Sequence, residues 1–338
     1  MNRQSLYFTA PRTVTVREEA LPQLLPGQML VQSICSAISP GTEMLLYRGQ
    51  MPAEMAADAT IAALSGSLAY PLKYGYATVG QVVQLGVNVA AEWQNRLIFA
   101  FNPHESHFIV TPETALPLPP GLDAETAVFL PNMETAVSFL MDAQPMIGEQ
   151  VAVLGQGVVG LLTTALLAQM PLTNLVTVDH YPLRREWSQQ LGAAISLPPD
   201  DAALQAALQG HSPYAGADLT FELSGNPQAL NLAVKLTGYN GRILVGSWYG
   251  QKQAPLDLGG KFHRSHMHLI SSQVSHIAPQ WSGRWSKPRR LQIAWHMLTA
   301  VQPARLITHR IPFTRAAAAY ELLDKDPASA IQIVLLYE

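Results

Sequence analysis

Apolar and polar positions divide the chain into two regimes. Through residues 1–120, short apolar runs alternate with polar positions and are cut by Pro and Gly: TVTVRE, MLVQSIC, ATVGQVVQLG, RLIFAF and HFIVT. Runs of that length and period predict half-buried strands joined by tight turns. From Val151 the pattern changes. VAVLG and NLVTVD are apolar throughout, as strands covered on both faces must be, and between them VVGLLTTALLAQM has the length of an apolar helix. Strand and helix patterns then alternate through AAISL, DLTFEL and RILVGS, which predicts a parallel sheet with helices on both faces. A helix, RRLQIAWHML, and two short strands, ITHRIPF and IQIVLLY, close the chain. PLPPGLDAET (Pro117–Thr126) has the make-up of a linker, with Asp123 placed to cap the apolar helix after it. The fold class is α/β, a doubly wound parallel sheet preceded by a β-rich domain.

The stretch Val151–Val178 carries no charge and is long enough to span a bilayer. Its glycines and Gln156 near the start, then Pro171 and Thr173-Asn174, break it into strand, helix and strand, so no membrane span is expected. The 338 residues leave room for two domains. Only 13% are charged, about half the usual ~25%, and 48% are hydrophobic, which excludes a disordered chain. Lys and Arg number 21 against 24 Asp and Glu, so no strong field recommends nucleic acid. The lone cysteine, Cys35, excludes a disulfide framework or a four-cysteine zinc lobe. MNRQSLYFTAPRTVTV lacks the apolar run of a signal peptide, so the cytoplasm is the expected location. One charge asymmetry stands out: between Leu258 and Tyr320 there is no acidic residue, against nine Lys/Arg and six His. Those cations either pair with acids elsewhere in the fold or form a wall for an anionic substrate or cofactor phosphate.

The motif that carries chemistry is Val151-Ala-Val-Leu-Gly155-Gln-Gly157-Val158-Val159-Gly160. Gly155 permits the tight strand-to-helix turn, Gly157 lets backbone approach a pyrophosphate, and Gly160 allows close packing. The helix N-terminus then offers free N–H groups to the phosphates. A second strand ends at Asp179, 19 residues beyond Gly160. An acidic residue there accepts hydrogen bonds from the ribose hydroxyls and repels a 2′-phosphate, so NAD(H) is expected over NADP(H). Arg184, next to Arg185, is the counter-indication, since it can meet a phosphate. Val158, Val159, Ser224 and Gly246 complete the expected cofactor-binding set.

AISPGTEMLL (Ala37–Leu46), YPLKYGYATVGQVVQLG (Tyr70–Gly86), LPNMETAV (Leu130–Val137), the VLGQGVVG turn, FELSGN (Phe221–Asn226) and HLISSQVS (His268–Ser275) resemble the medium-chain dehydrogenases/reductases over nearly the whole chain. The GTE and YGYxxVG pair resembles in particular the branch with the bacteriochlorophyllide dehydrogenases. The resemblance implies a GroES-like β-domain at 1–123 and 274–338, a Rossmann domain at 124–273 and a homodimer.

The departures matter as much. Where the alcohol dehydrogenases of this family hold a catalytic zinc, this chain has Ser39 or Pro40, Gly75-Tyr76-Ala77 and the neighbourhood of Asn132, none of them a usual zinc ligand. No zinc is therefore expected. His104 and His107, at i, i+3 in a Pro-containing loop, would need a further ligand such as Glu134 or Glu43 to bind a metal. Without zinc, a side chain must handle the alcohol proton. Thr42, which matches the relay hydroxyl of the zinc enzymes, is the first candidate, Tyr76 the second and His104 the third. Glu43, Asn132 and Glu134 are expected to order or orient the site rather than to react. Trp281 and Arg284, in an aromatic and basic loop, together with Arg264 and Arg290, are the expected contacts of a planar or anionic small-molecule substrate. Three functions stay open: an NAD(H)-dependent secondary alcohol dehydrogenase or ketone reductase of a biosynthetic intermediate, a zinc-less quinone or enoyl reductase, and a non-catalytic dinucleotide-binding protein.

Overall fold

The computed structural model describes residues 2–52, 54–56, 61–64, 66–208 and 215–337. The chain forms two compact units, Met1–Pro131 with Gln302–Glu338, and Asn132–Val301. The division differs from the expected one: residues 124–131 fall in the first unit and 274–301 in the second.

In the first unit β1 (Asn2–Ala10) and β2 (Thr13–Ala20) make an antiparallel ribbon. β3 (Met29–Ala37) is followed by a turn and a short helix, α1 (Thr42–Tyr47). β4 (Thr78–Leu85), β5 (Leu97–Ala100), β6 (His107–Val110) and β7 (Leu116–Pro117) follow, and then a one-turn helix, α2 (Ala124–Ala127). Asp123 caps α2 as expected, its Oδ1 accepting the Thr126 amide at 2.8 Å.

The second unit opens with α3 (Leu130–Ala143) and β8 (Gln150–Leu154). It continues through α4 (Val158–Leu167), β9 (Asn174–Val178), α5 (Pro182–Gln190), β10 (Ile195–Leu197), α6 (Asp201–Ala207), β11 (Ala217–Glu222), α7 (Ala229–Leu236), β12 (Thr237–Val245), β13 (His268–Ser271) and α8 (Lys287–Val301). Its six strands are all parallel and lie in the order β10-β9-β8-β11-β12-β13. Counted along the chain this is 3-2-1-4-5-6, the doubly wound dinucleotide-binding order, which reverses direction beside β8. The strands are as apolar as their sequence suggested: Val151, Ala152 and Val153 are fully buried.

The chain then returns to the first unit with β14 (Ile307–Pro312), α9 (Ala316–Lys325) and β15 (Gln332–Leu336). β15 pairs with β3 and completes the mainly antiparallel sheet β14-β15-β3-β4-β5-β7, with β6 also on β3. The core under α1 and α9 is built by Leu6, Phe8, Met44, Leu46, Tyr320 and Leu323. Among the described residues no helix is long and apolar enough to cross a membrane.

Candidate active site

The glycine turn lies at the carboxyl end of β8. Gly155 has φ +92°, and a Cβ there would stand 2.5 Å from the Ser224 Cα. A Cβ on Gly160 would come within 2.0 Å of the Gly155 carbonyl oxygen, so this glycine lets helix close on turn. Gly157, the N-cap of α4, has open space where its Cβ would be, the room a pyrophosphate needs above the helix N-terminus. Val158 and Val159 form the first turn of α4.

Gln156, which carried no weight in the motif, and Asp179, which did, hold this turn. The Gln156 side chain is fully buried, donates to the Gly155 carbonyl at 3.2 Å and accepts from Thr164 Oγ1 at 2.9 Å. The Gln156 amide donates to Asp179 Oδ2 at 2.8 Å, and Asp179 Oδ1 accepts the Tyr181 amide at 2.9 Å. Asp179 thus grips the glycine turn while each carboxylate oxygen keeps a lone pair for a ribose hydroxyl. Arg184 Nη1 stands 3.9 Å from Asp179 Oδ2, its guanidinium over the Tyr181 ring at 4.8 Å.

Ser224 follows β11 and rests on Glu222, a fully buried carboxylate that accepts from the Ser224 amide (2.8 Å), the Ser224 hydroxyl and the Tyr249 hydroxyl. Burial and this carboxylate push the Tyr249 phenol well above its usual range. Gly246 serves packing rather than ligand approach, because a Cβ there would overlap the Phe139 ring at 2.3 Å.

In the first unit the hydroxyl candidates converge. Tyr76 donates to Ser39 Oγ at 2.7 Å, and the Thr42 amide reaches the same oxygen at 3.4 Å. Ser39, Thr42 and Tyr76 are half-buried. His104 is placed differently from expectation. It is fully buried, with Nδ1 2.7 Å from Ser36 Oγ and Nε2 3.0 Å from Glu43 Oε2. With both nitrogens occupied and no exposed surface, it is not a proton donor to substrate. Glu43, at 0% exposure, also accepts from Tyr320 at 2.5 Å and from the Ser39 amide at 2.8 Å, so it orders the turn instead of meeting substrate. His107 lies on β6 and pairs with Ser106 Oγ at 3.2 Å.

The expected anion contacts separate. Arg290 is 1% exposed, and its donors are taken by Glu134 Oε1 (2.9 and 3.1 Å), Ser138 Oγ (3.2 Å) and the carbonyls of His276 and Val274. It is a buried clamp on α3, and Glu134 is its counter-ion rather than a substrate orienter. Arg264 is exposed beside Asn240 and His268, at the amino ends of β12 and β13 and thus at the opposite edge of the parallel sheet from the glycine turn. Arg284 lies over the Trp281 ring at 5.2 Å, which covers one face of that indole. Arg310 is paired with Glu125 at 2.6 Å. The acid-free span is therefore no single cationic wall. Asn132 sits half-buried in the first turn of α3.

Comparison with known proteins agrees with this architecture. Residues 158–286 match the family model described as zinc-binding dehydrogenase. D-guloside 3-dehydrogenase of Escherichia coli K12 is 22% identical over 98% of this chain and 99% of its own length. A 2-desacetyl-2-hydroxyethyl bacteriochlorophyllide A dehydrogenase of Cereibacter sphaeroides is 25% identical over 97% and 96%. An alcohol dehydrogenase of Escherichia coli CFT073, solved with NADH, superposes with a TM-score of 0.79 at 16% identity over 99% of both chains. The chain is similar over nearly its whole length to medium-chain dehydrogenases/reductases and shares the fold of such enzymes, a Rossmann and a GroES-like domain. The matched stretch lies in the nucleotide-binding unit and contains none of Ser39, Tyr76 or His104. The residues around the hydroxyl pair do not fit a zinc ion: they offer three hydroxyls, a proline, and a buried carboxylate and imidazole already engaged with each other and with their neighbours. Among the described residues no group of three or more His, Cys, Asp or Glu side chains is placed to hold a metal.

Proposed function

We propose that the protein moves a hydride between NAD(H) and a secondary alcohol or ketone of a biosynthetic intermediate without catalytic zinc, the substrate proton being handled by Tyr76 with Ser39 and Thr42. The observation that carries this reading is the 2.7 Å bond from the Tyr76 hydroxyl to Ser39 Oγ, at the positions that the sequence resemblance aligns with zinc ligands of the zinc-dependent alcohol dehydrogenases. The nicotinamide, when bound, accepts or delivers the hydride. The protein must then stabilise charge on the substrate oxygen and move one proton. In the reducing direction the substrate oxygen takes the Ser39 hydroxyl proton while Ser39 takes that of Tyr76, and the phenolate left on half-buried Tyr76 is reprotonated from solvent; oxidation runs the same transfers in reverse. Thr42, one residue before Glu43 and with its amide on Ser39, adds a third hydroxyl to the same half-buried corner.

Gly155, Gly157, Gly160 and Asp179 hold the dinucleotide in this account, and Ser224 backs the turn. NAD(H) is preferred because a 2′-phosphate would face the Asp179 carboxylate, with Arg184 only partly offsetting the repulsion. NADH is expected to bind at least about tenfold tighter than NADPH, a difference of about 1.4 kcal/mol. Fluorescence titration of both nucleotides checks it. Asp179→Ser narrows the gap, and because Asp179 also holds the Gln156 amide, NADH itself binds more weakly in that variant. Equal affinities in the native protein would remove the NAD(H) assignment and favour the reductase alternative.

A further inference from the structure

Resting on the reading of Tyr76 just given, we propose that Glu43 and His104 are the positioning residues of the hydroxyl pair: Glu43 fixes Ser39 and His104 fixes the backbone that carries Tyr76. Glu43 divides its carboxylate. Oε1 accepts the Ser39 amide at 2.8 Å, while Oε2 accepts from His104 Nε2 at 3.0 Å and from Tyr320 at 2.5 Å. The His104 ring in turn occupies the space that a side chain on Gly75 would fill, since a Cβ there would stand 2.7 Å from both Nε2 and Cδ2. Gly75 is the residue before Tyr76, and its φ of +118° is one that side chains rarely adopt. The Glu43–His104 bond therefore ties the segment that accepts the proton to the segment that donates it.

The plain alternative is a helix cap. Ser39 and Glu43 exchange bonds much as a capping box does, the Glu43 amide donating to the Ser39 carbonyl at 3.0 Å. Capping alone does not account for the burial. A capping glutamate works in solvent, whereas this one has no exposed surface and serves a helix of only six residues. Burying a carboxylate is costly unless every oxygen is satisfied. Here the donors come from three separate segments: the turn before α1, the loop before β6, and α9. One donor order satisfies the whole cluster: Tyr337 to Ser36, Ser36 to His104 Nδ1, and His104 Nε2 to Glu43, so that every polar atom of the His104 ring and of the carboxylate has a partner.

A double-mutant cycle separates the two accounts, read as NAD⁺ reduction with the best substrate in a panel of polyols and hydroxy acids. Glu43→Ala is expected to lower kcat about a hundredfold through misplacement of the pair, with NADH affinity unchanged. Made in a Tyr76→Phe background, the same change is expected to cost less than about threefold more, because there is no phenol left to position. Glu43→Gln restores most of the rate, since its amide oxygen still accepts from Ser39 and its NH₂ meets the other tautomer of His104. Costs that multiply in the double variant would overturn the positioning role and leave Tyr76 in place. A Tyr76→Phe single variant with native kcat would instead overturn the reading on which the proposal rests. Should Glu43→Ala yield no folded protein, His104→Gln carries the same cycle. Hydrogen exchange needs no substrate: the Ser39 amide should exchange faster in Glu43→Ala and at the native rate in Glu43→Gln, and an unchanged rate in Glu43→Ala contradicts the proposal.

Discussion

Tyr76→Phe is expected to lower kcat by about 10²- to 10⁴-fold, the usual span for loss of a group that transfers a proton in the transition state. KM for the nucleotide should stay close to native, because the residues assigned to the dinucleotide belong to the other unit. Ser39→Ala removes the acceptor of the phenol proton and should reproduce part of the loss, whereas Thr42→Val probes the relay hydroxyl alone. Steady-state kinetics of the three variants, each with its NADH affinity measured separately, rank the hydroxyls. If Thr42→Val proves the most damaging and Tyr76→Phe is near native, the proton travels by the threonine and the phenol is a packed aromatic.

Arg290→Ala is expected to destabilise the fold by about 3–5 kcal/mol, the range for removing one partner of a buried ion pair. The loss leaves Glu134 inside α3 without its hydrogen-bonded counter-ion, Lys287 acting on it only through its charge, and Ser138 and the carbonyls of Val274 and His276 lose a shared donor. Burial already pushes the Glu134 carboxyl above its ordinary value, with the Arg290 guanidinium pulling against that rise. In the variant the larger of the two opposing cations is gone and only Lys287 remains, so the carboxyl rises further. A carboxyl raised in the folded state favours folding while it is protonated, and that contribution fades as pH climbs through its folded value. The deficit should therefore be smallest in acid and grow toward neutral pH. Urea denaturation at several pH values measures both the size and the slope, and an unchanged midpoint at neutral pH would contradict the clamp.

Much of the fold is legible in the sequence because it rests on local patterns. Strands covered on both faces must be apolar, so β8, β9, β11 and β12 announce themselves. The glycine turn is equally readable, since Gly155 and Gly160 answer steric demands that only glycine meets. Two helices are harder to see. α1 has six residues, too few to show a period. α9 does place Ala316, Ala319, Tyr320 and Leu323 at helical spacing, but alanine gives little contrast between faces.

The site is legible in part and for a physical reason. Asp179 and the glycines act through backbone geometry fixed by neighbours in sequence. Charged side chains answer to partners far along the chain. Arg290 and Glu134 are 156 residues apart, and His104 meets Glu43 across 61, so spacing alone could not show that these groups are buried and paired. A cation-rich stretch resembled an anion site for the same reason: the acids that neutralise Arg290 and Arg310 lie in other segments. Glu222, Gln156 and Tyr249 left no signal beyond sitting next to recognisable strand ends.

The central claim is hydride transfer governed by hydroxyls rather than by zinc. It is tested most directly by following NADH formation on a secondary alcohol with protein stripped of metal by a chelator and verified by elemental analysis. The account predicts that the stripped enzyme keeps its full rate and that Tyr76→Phe, equally metal-free, loses it. A rate that disappears with the metal and returns when one zinc per chain is restored would contradict it.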